Sequence, residues 1–271
     1  MPIIEENGKP VWRRRDRKAA IYHWIGTLAI GLLVLYCSRL ISAQTTWEFV
    51  WTAGVQAQDL VTRMMPPKFG YAAELWRPLI DTIHIATLGT ILGIMIASPL
   101  AFLTARNTTP SRHFVRPIAL FVLVTSRSVN SIIWALLLVV ILGPGMLAGI
   151  LAIALRSVGF IGKLLYESIE EIDKRAVEAV TATGASGPQI LTYAVIPQIA
   201  PTFAGISIYR WDINIREATV LGLVGAGGIG MELQSSIDTL AWSQVSVLFL
   251  LILSTVVLSE WVSARARKAV T

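Results

Sequence analysis

The sequence predicts an all-helical membrane protein of about six spans. Three observations carry that expectation: an apolar-rich composition, six apolar runs long enough to cross a bilayer, and a regular placement of Lys and Arg between them. Hydrophobic residues make up 54% of the 271 residues and charged residues only 15%. Mean hydropathy is +0.64, far from the roughly half-apolar, quarter-charged balance of a soluble domain. The net charge of +6 and pI near 9.7 do not indicate nucleic acid, because the basic residues sit at the ends of apolar runs instead of forming one patch. Cys37 is the single cysteine and lies within the first apolar run, so neither a disulfide framework nor a thiol metal set is expected.

The amino end, residues 1–20, is basic, with Lys9, Arg13, Arg14, Arg15, Arg17 and Lys18. The apolar run at 21–42 follows and is long enough for a retained spanning helix, longer than a signal-peptide core needs to be. Residues 43–79 interrupt the pattern. Their MMPPKFG stretch must turn, because paired prolines remove donors and restrict the preceding residue. An amphipathic helix is expected from Trp47 to Met65, with Trp47, Phe49, Trp51 and Trp76 either packed in an external cap or lying at interface depth. Five further spans are read at 80–104, 117–142, 145–166, 198–221 and 241–262, before a carboxyl tail at 263–271.

Sidedness follows from charge. Arg106, Arg112 and Arg116 between spans two and three, and Arg265, Arg267 and Lys268 in the tail, fall on the same side as the basic amino end when the spans alternate. Both termini and the loop at 167–197, with Lys174 and Arg175, are therefore expected in the cytoplasm, and 43–79 outside. The transmembrane domain is delimited at 21–262.

Two spans carry polar residues that a bilayer disfavours. In YRWDINIREATVLGLVGAGGIG, four charges fall within eight positions, and Arg210 stands 13 residues beyond Pro197. That separation is about 20 Å along a helix, which places Arg210 deep. Arg210, Asn214 and Glu217 share one helical face, while Asp212 and Arg216 form an i, i+4 pair on nearly the opposite one. In TSRSVNSIIWALLLV, Arg127, Asn130, Ser131 and Trp134 recur at helical spacing. Either set could line a path for an anion, since guanidinium matches oxyanions in geometry, or could lock helices together. Arg156 in span four is read as snorkelling toward the cytoplasmic half.

The glycines Gly225, Gly227, Gly228 and Gly230 lack the Gly-Lys-Ser/Thr ending of a phosphate loop and are read as a bend or gate near the external end of span five. His23, His84 and His113 have no metal-ligand spacing. No nucleophile–base set stands out, so no catalytic site or bound metal is expected.

The loop EAVTATGASGPQILTYAVIP, Glu178 to Pro197, resembles the ATPase-docking motif of ABC importer permeases: Glu178, Ala179, Gly184 and Pro197 stand at the motif's spacings, with Val180 where a second Ala is usual. Together with DTIHIATLGTILGIMIASPLAFLTARN, MPPKF, SRSVNSIIWALL and the YRWDINIRE run, the chain resembles the permeases of phosphonate-type ABC importers over most of residues 65–232. Asp81 stands where Glu is expected in that family, and Asn130 where Pro is common. The resemblance implies a type I importer permease fold in a bacterial cytoplasmic membrane, with two short helices of the docking loop, including Ala185, seated on an ATPase. It also implies a second copy of the chain, two cytoplasmic ABC ATPases that bind ATP and Mg, and an external solute-binding protein that delivers phosphonate or a related phosphorus oxyanion. A permease for another small anion or an amino acid, and a non-transporting scaffold, are the rival readings.

Overall fold

The computed structural model describes residues 3–6, 9–12 and 17–270. The chain forms two compact units, residues 1–59 and 60–271. The first holds a small antiparallel hairpin, β1 (Ile3–Glu6) and β2 (Lys9–Trp12), in register Ile3↔Trp12 and Glu6↔Lys9. This hairpin is the one departure from an all-helical chain among the described residues, and the basic amino end gave no period-2 signal strong enough to anticipate it. The long helix α1 (Arg17–Gln44) follows, and α2 (Trp47–Met64) begins in this unit. Apolar side chains along α1 from Ile21 to Ile41 are exposed, a surface suited to lipid. Trp47, Phe49, Trp51 and Trp76 are also exposed.

The second unit is built on two helices. These are α3 (Trp76–Thr104) and α6 (Met146–Glu170), joined through α4 (Val115–Ser128) and α5 (Ser131–Leu142). With no water to drive apolar faces together inside a bilayer, helix association depends on close packing and interhelical hydrogen bonds. The sequence meets that need with small residues. Gly89 and Gly93 of α3 sit so close to α6 that a Cβ on Gly89 would lie 2.7 Å from Ile153 Cγ2, and one on Gly93 2.7 Å from Ser157 Cβ. Helix α9 (Ile196–Gly222) packs on both, with Ile215, Ala218 and Leu221 buried against Ile85, Ala86, Ala152 and Ile153. Helices α10 (Ile229–Asp238) and α11 (Trp242–Val270) complete the unit, their Ile229, Leu233, Val245 and Leu248 gathered around Leu75.

Among the described residues, five helical segments are long and apolar enough to cross a membrane, six if α4 and α5 count as one span bent by 90°. That bend corrects the expected continuous helix at 117–142. Val129 and Asn130 are extended, and the Asn130 side chain caps α5 by accepting from Ile132 N. Asn at such a position competes with the helix for its own backbone, so a cap wins over a fourth polar residue on one face. Arg127, Asn130, Ser131 and Trp134 therefore do not form the single helical face predicted for them.

Overpacking at Gly93 follows from the 2.7 Å approach. Gly93→Val is expected to cost about 1–3 kcal/mol, read as a lower thermal midpoint of the detergent-purified protein. Gly205→Ala, where a Cβ meets nothing within 4 Å, is expected to be neutral or to stabilise by up to about 1 kcal/mol.

Candidate functional site

The loop expected to dock an ATPase begins where α6 ends. Asp173 caps the short helix α7 (Lys174–Ala182), its carboxylate accepting from Arg175 N at 2.9 Å. The Arg175 guanidinium, and after it the Arg175 amide, hold the Asp173 carboxyl below the usual carboxylate range. Gly184 has φ of +80°, a left-handed turn that reverses the chain after α7 at little steric cost only because the residue is glycine. Ser186 and Gln189 then form a capping box on α8 (Gly187–Ile190). After α7, the second short helix α8 runs through a π-type turn at Leu191–Val195 directly into α9, with Pro197 in its first turn. Glu178 and Ala179 are exposed on α7, and Ala185 is partly buried. The base of the loop is anchored. Val177, Leu191, Val195 and Ile199 pack with Ala101 of α3, with Ala105 just past its end, and with Leu165 and Ile169 of α6.

At mid-length of α9, the charges predicted to share a face do so. Arg210 is only 2% exposed. Its Nε donates to Ser157 Oγ at 3.0 Å, its Nη2 lies 3.4 Å from Glu217 Oε2, and its guanidinium sits 5.2 Å from the Phe160 ring centroid. One turn along, buried Asn214 donates from Nδ2 to Thr90 Oγ1 at 2.7 Å and to Ser157 Oγ at 3.0 Å. Asn214 thus ties α9 to both α3 and α6. On the other side of α9, Asp212 pairs with Arg216 and accepts from Ser259 Oγ of α11 at 2.9 Å. Thr90, Ser157 and Ser259 were not singled out in the sequence, though each is a small polar residue inside an apolar run, which is the available signal.

An open cleft of about 500 Å³ lies beside this network, lined by Asn130, Ser131, Arg156, Tyr209, Arg216 and Glu217. The arginine that enters it from α6 is Arg156, 30% exposed, its Nε 3.3 Å from Glu217 Oε1. Arg156 lies ten residues into α6, about 15 Å along the helix axis, and is ion-paired at that depth instead of snorkelling as expected. Arg210 does not line the cleft, and Arg127 is exposed at the end of α4. Glu217 stands between Arg156 and Arg210, within reach of both.

The glycine run after α9 turns the chain. Gly225, Gly227 and Gly228 all have positive φ, and Gly145 N donates to Gly225 O at 2.9 Å. Ile229 N donates to Thr82 Oγ1 at 2.8 Å, and a Cβ on Gly228 would stand 2.5 Å from the same oxygen. Gly230 passes so close to Gly222 that a Cβ on Gly222 would lie 2.5 Å from its Cα. No group of three or more His, Cys, Asp or Glu residues is arranged to hold a metal ion among the described residues.

Residues 79–268 match the family described as binding-protein-dependent transport system inner membrane component. The phosphite transport system permease protein PtxC of Stutzerimonas stutzeri is 42% identical over 98% of this chain and 93% of its own length. The phosphate-import permease protein PhnE of Mycolicibacterium smegmatis is 41% identical over 72% of this chain, which spans 37% of that longer relative. Among solved structures, a chain of the MetNI methionine ABC transporter in an inward-facing conformation superposes with a TM-score of 0.63 at 21% identity, covering 73% of this chain and 96% of that one. This last likeness shows the fold.

The burial of Arg210 and the exposure of Arg127 separate the two in stability. Arg210→Gln is expected to cost about 3 kcal/mol, the lower end for breaking a buried pair, because Arg156 still neutralises Glu217. Arg127→Gln should shift stability by no more than about 0.5 kcal/mol. Thermal unfolding of the two purified variants checks this; equal midpoints would contradict the pinning role of Arg210.

Proposed function

The chain belongs to the binding-protein-dependent transport system inner membrane component family, and from that membership we propose that it forms the membrane path of an ATP-driven bacterial importer for phosphite, phosphate, a phosphonate or a related phosphorus oxyanion. The end-to-end similarity to a phosphite permease carries this reading. The cationic cleft among α5, α6 and α9 supports it, because an anion needs a positive lining at membrane depth. An amino-acid cargo is zwitterionic and would have no use for a surplus of guanidinium groups, so the anion reading is preferred to it.

In this reading, the chain pairs with a second copy of itself and receives solute from an external binding protein. Two cytoplasmic ATPases bind ATP and Mg and hydrolyse the nucleotide, and this chain contributes no catalytic residue. Glu178, Ala179, Gly184, Ala185 and Pro197 belong to the docking contact, whose movement reaches α3 and α6 through the apolar anchor of the loop. Nucleotide binding then shifts the population between inward-open and outward-open states. Both termini lie in the cytoplasm, and residues 43–79 lie outside.

Uptake of labelled phosphate, phosphite and methylphosphonate by cells carrying the complete importer tests the cargo; transport of none of them would refute the phosphorus-oxyanion reading. Transport of none of a wider panel of anions and amino acids would favour a scaffold. Glu178→Lys is expected to abolish copurification with the ATPase and to reduce uptake at least about tenfold, the effect of reversing a charge in a contact worth about 1.4 kcal/mol or more, with the amount of folded permease unchanged. For sidedness, an impermeant thiol reagent applied to intact cells should label Lys68→Cys and spare Arg112→Cys in a Cys37→Ser background. Labelling of Arg112→Cys would invert the topology.

A further inference from the structure

We infer that the cleft holds a transient oxyanion site in which the incoming anion takes the place of the Glu217 carboxylate on Arg156, while Arg210 keeps Glu217 neutralised. The inference rests on the importer reading and names the group within it that handles the anion.

Charge is the first argument. The ionised groups that line the cleft or bond to those that do are Arg156, Arg210, Arg216, Asp212 and Glu217: three guanidinium groups against two carboxylates. One positive charge is left over. At membrane depth an uncompensated charge is expensive, so the arrangement is best satisfied when one more anion is present.

Geometry is the second. Asp212 is committed to Arg216 and Ser259 and lies on the far side of α9 from Arg210. Glu217 is held from two directions, by Arg156 at 3.3 Å and by Arg210 at 3.4 Å, one contact to each carboxylate oxygen. If Glu217 had only Arg156, an anion displacing it would leave a carboxylate without a partner inside the bilayer, and the exchange would be strongly disfavoured. Buried Arg210 removes that penalty, because it is fixed by Ser157 and Phe160 and cannot follow the anion. Arg156 is the mobile member. It is 30% exposed where Arg210 is 2% exposed, and its freed guanidinium can meet a tetrahedral oxyanion through two parallel N–H bonds.

The third argument is the broken span. Arg156 Nη1 reaches the Val129 carbonyl at 3.5 Å, at the break between α4 and α5, and Asn130 and Ser131 stand on the cleft at the start of α5. An anion drawn to Arg156 thus lies beside the span that, among the described residues, is already interrupted between its two helices. Release is built in, since Glu217 competes for the same guanidinium and returns to it. Multi-step passage needs such weak binding.

A reporter thiol tests the site apart from transport. Val220, an exposed residue on the cleft, is changed to cysteine in the full transporter with Cys37→Ser, and its alkylation rate is followed against rising phosphite, phosphate, sulfate or glutamate. Phosphite or phosphate should protect the thiol. Arg156→Gln should raise the half-protecting concentration at least about tenfold, as expected when a charge-assisted pair is lost. Arg156→Lys should restore part of the protection, and Glu217→Gln should lower the half-protecting concentration by removing the competitor. A purely structural pair would weaken or spare both variants alike and give no opposite signs. Absence of protection in the parent, or the same protection in Arg156→Gln, overturns the site. Protection by sulfate or glutamate alone keeps the anion site and refutes the phosphorus cargo. The measurement is made in maltoside micelles and repeated in phosphatidylglycerol nanodiscs. Loss of ion protection in the nanodiscs would assign Arg156 to lipid phosphate and overturn the proposal.

Discussion

The membrane body depends on one buried knot of hydrogen bonds at the crossing of α3, α6 and α9. Ser157 accepts from both Arg210 and Asn214, and Asn214 also donates to Thr90, so a single hydroxyl of α6 joins two polar residues of α9 and, through Asn214, a third helix. Apolar packing alone gives helices in lipid little reason to choose one register, because lipid tails satisfy Leu and Ile as well as a neighbouring helix does. A buried polar group has no such indifference, since leaving one unpaired costs about 1–3 kcal/mol. The knot also explains the glycines. Gly93 lies against Ser157 itself, so the close approach of α3 and α6 and the reach of Asn214 to both are one constraint expressed in two ways.

That rigidity lets a short loop act on a distant cleft. The docking segment is joined to α9 without a break through α8 and the π-type turn, and its apolar side chains are fixed to the ends of α3 and α6. In the proposed importer, a push on α7 therefore moves three helices whose relative positions the knot has already set, and two of them, α6 and α9, line the cleft. At the other end of α9, the turn at Gly225–Gly228 is locked to Thr82 and Gly145, which gives the moving unit a defined end instead of a frayed one. Coupling of this kind needs two discrete packings, and interfaces built on interdigitated small residues favour discrete states over continuous bending.

Much of this was legible in the sequence, for reasons that can be traced to particular residues. The number of apolar helical segments followed from apolar length, and the pairing of Asp212 with Arg216, and the common face of Arg210, Asn214 and Glu217, followed from helical spacing on α9 alone. What spacing cannot supply is the neighbour across the gap: Ser157, Thr90 and Ser259 are ordinary residues until the fold brings them to Asn214, Arg210 and Asp212. The break at Val129–Asn130 was missed because a helical period was preferred to a cap signal that a single Asn within an apolar run carries only weakly. Depth misled in the same way. Arg156 and Arg210 are both deep, and only the packing distinguishes the arginine that pins from the one that faces the cleft.

The distinction bears on how a carrier can hold an anion without keeping it. A permanent cation in a dry path would bind an oxyanion too tightly to release it, and a fully neutralised path would give it no reason to enter. The triad of Arg156, Glu217 and Arg210 lies between these limits, because one carboxylate is shared by two guanidinium groups of unequal freedom. Moving Arg156 by a few tenths of an ångström relative to Glu217 alters the balance between internal and external anion, and Arg156 and Glu217 stand on different helices, α6 and α9. Any rearrangement that slides one of these helices past the other must therefore change the affinity of the cleft. Affinity and access are tied to the same contact. A conformational change driven from the docking loop could then weaken the hold on the anion in the step that opens the path to the cytoplasm.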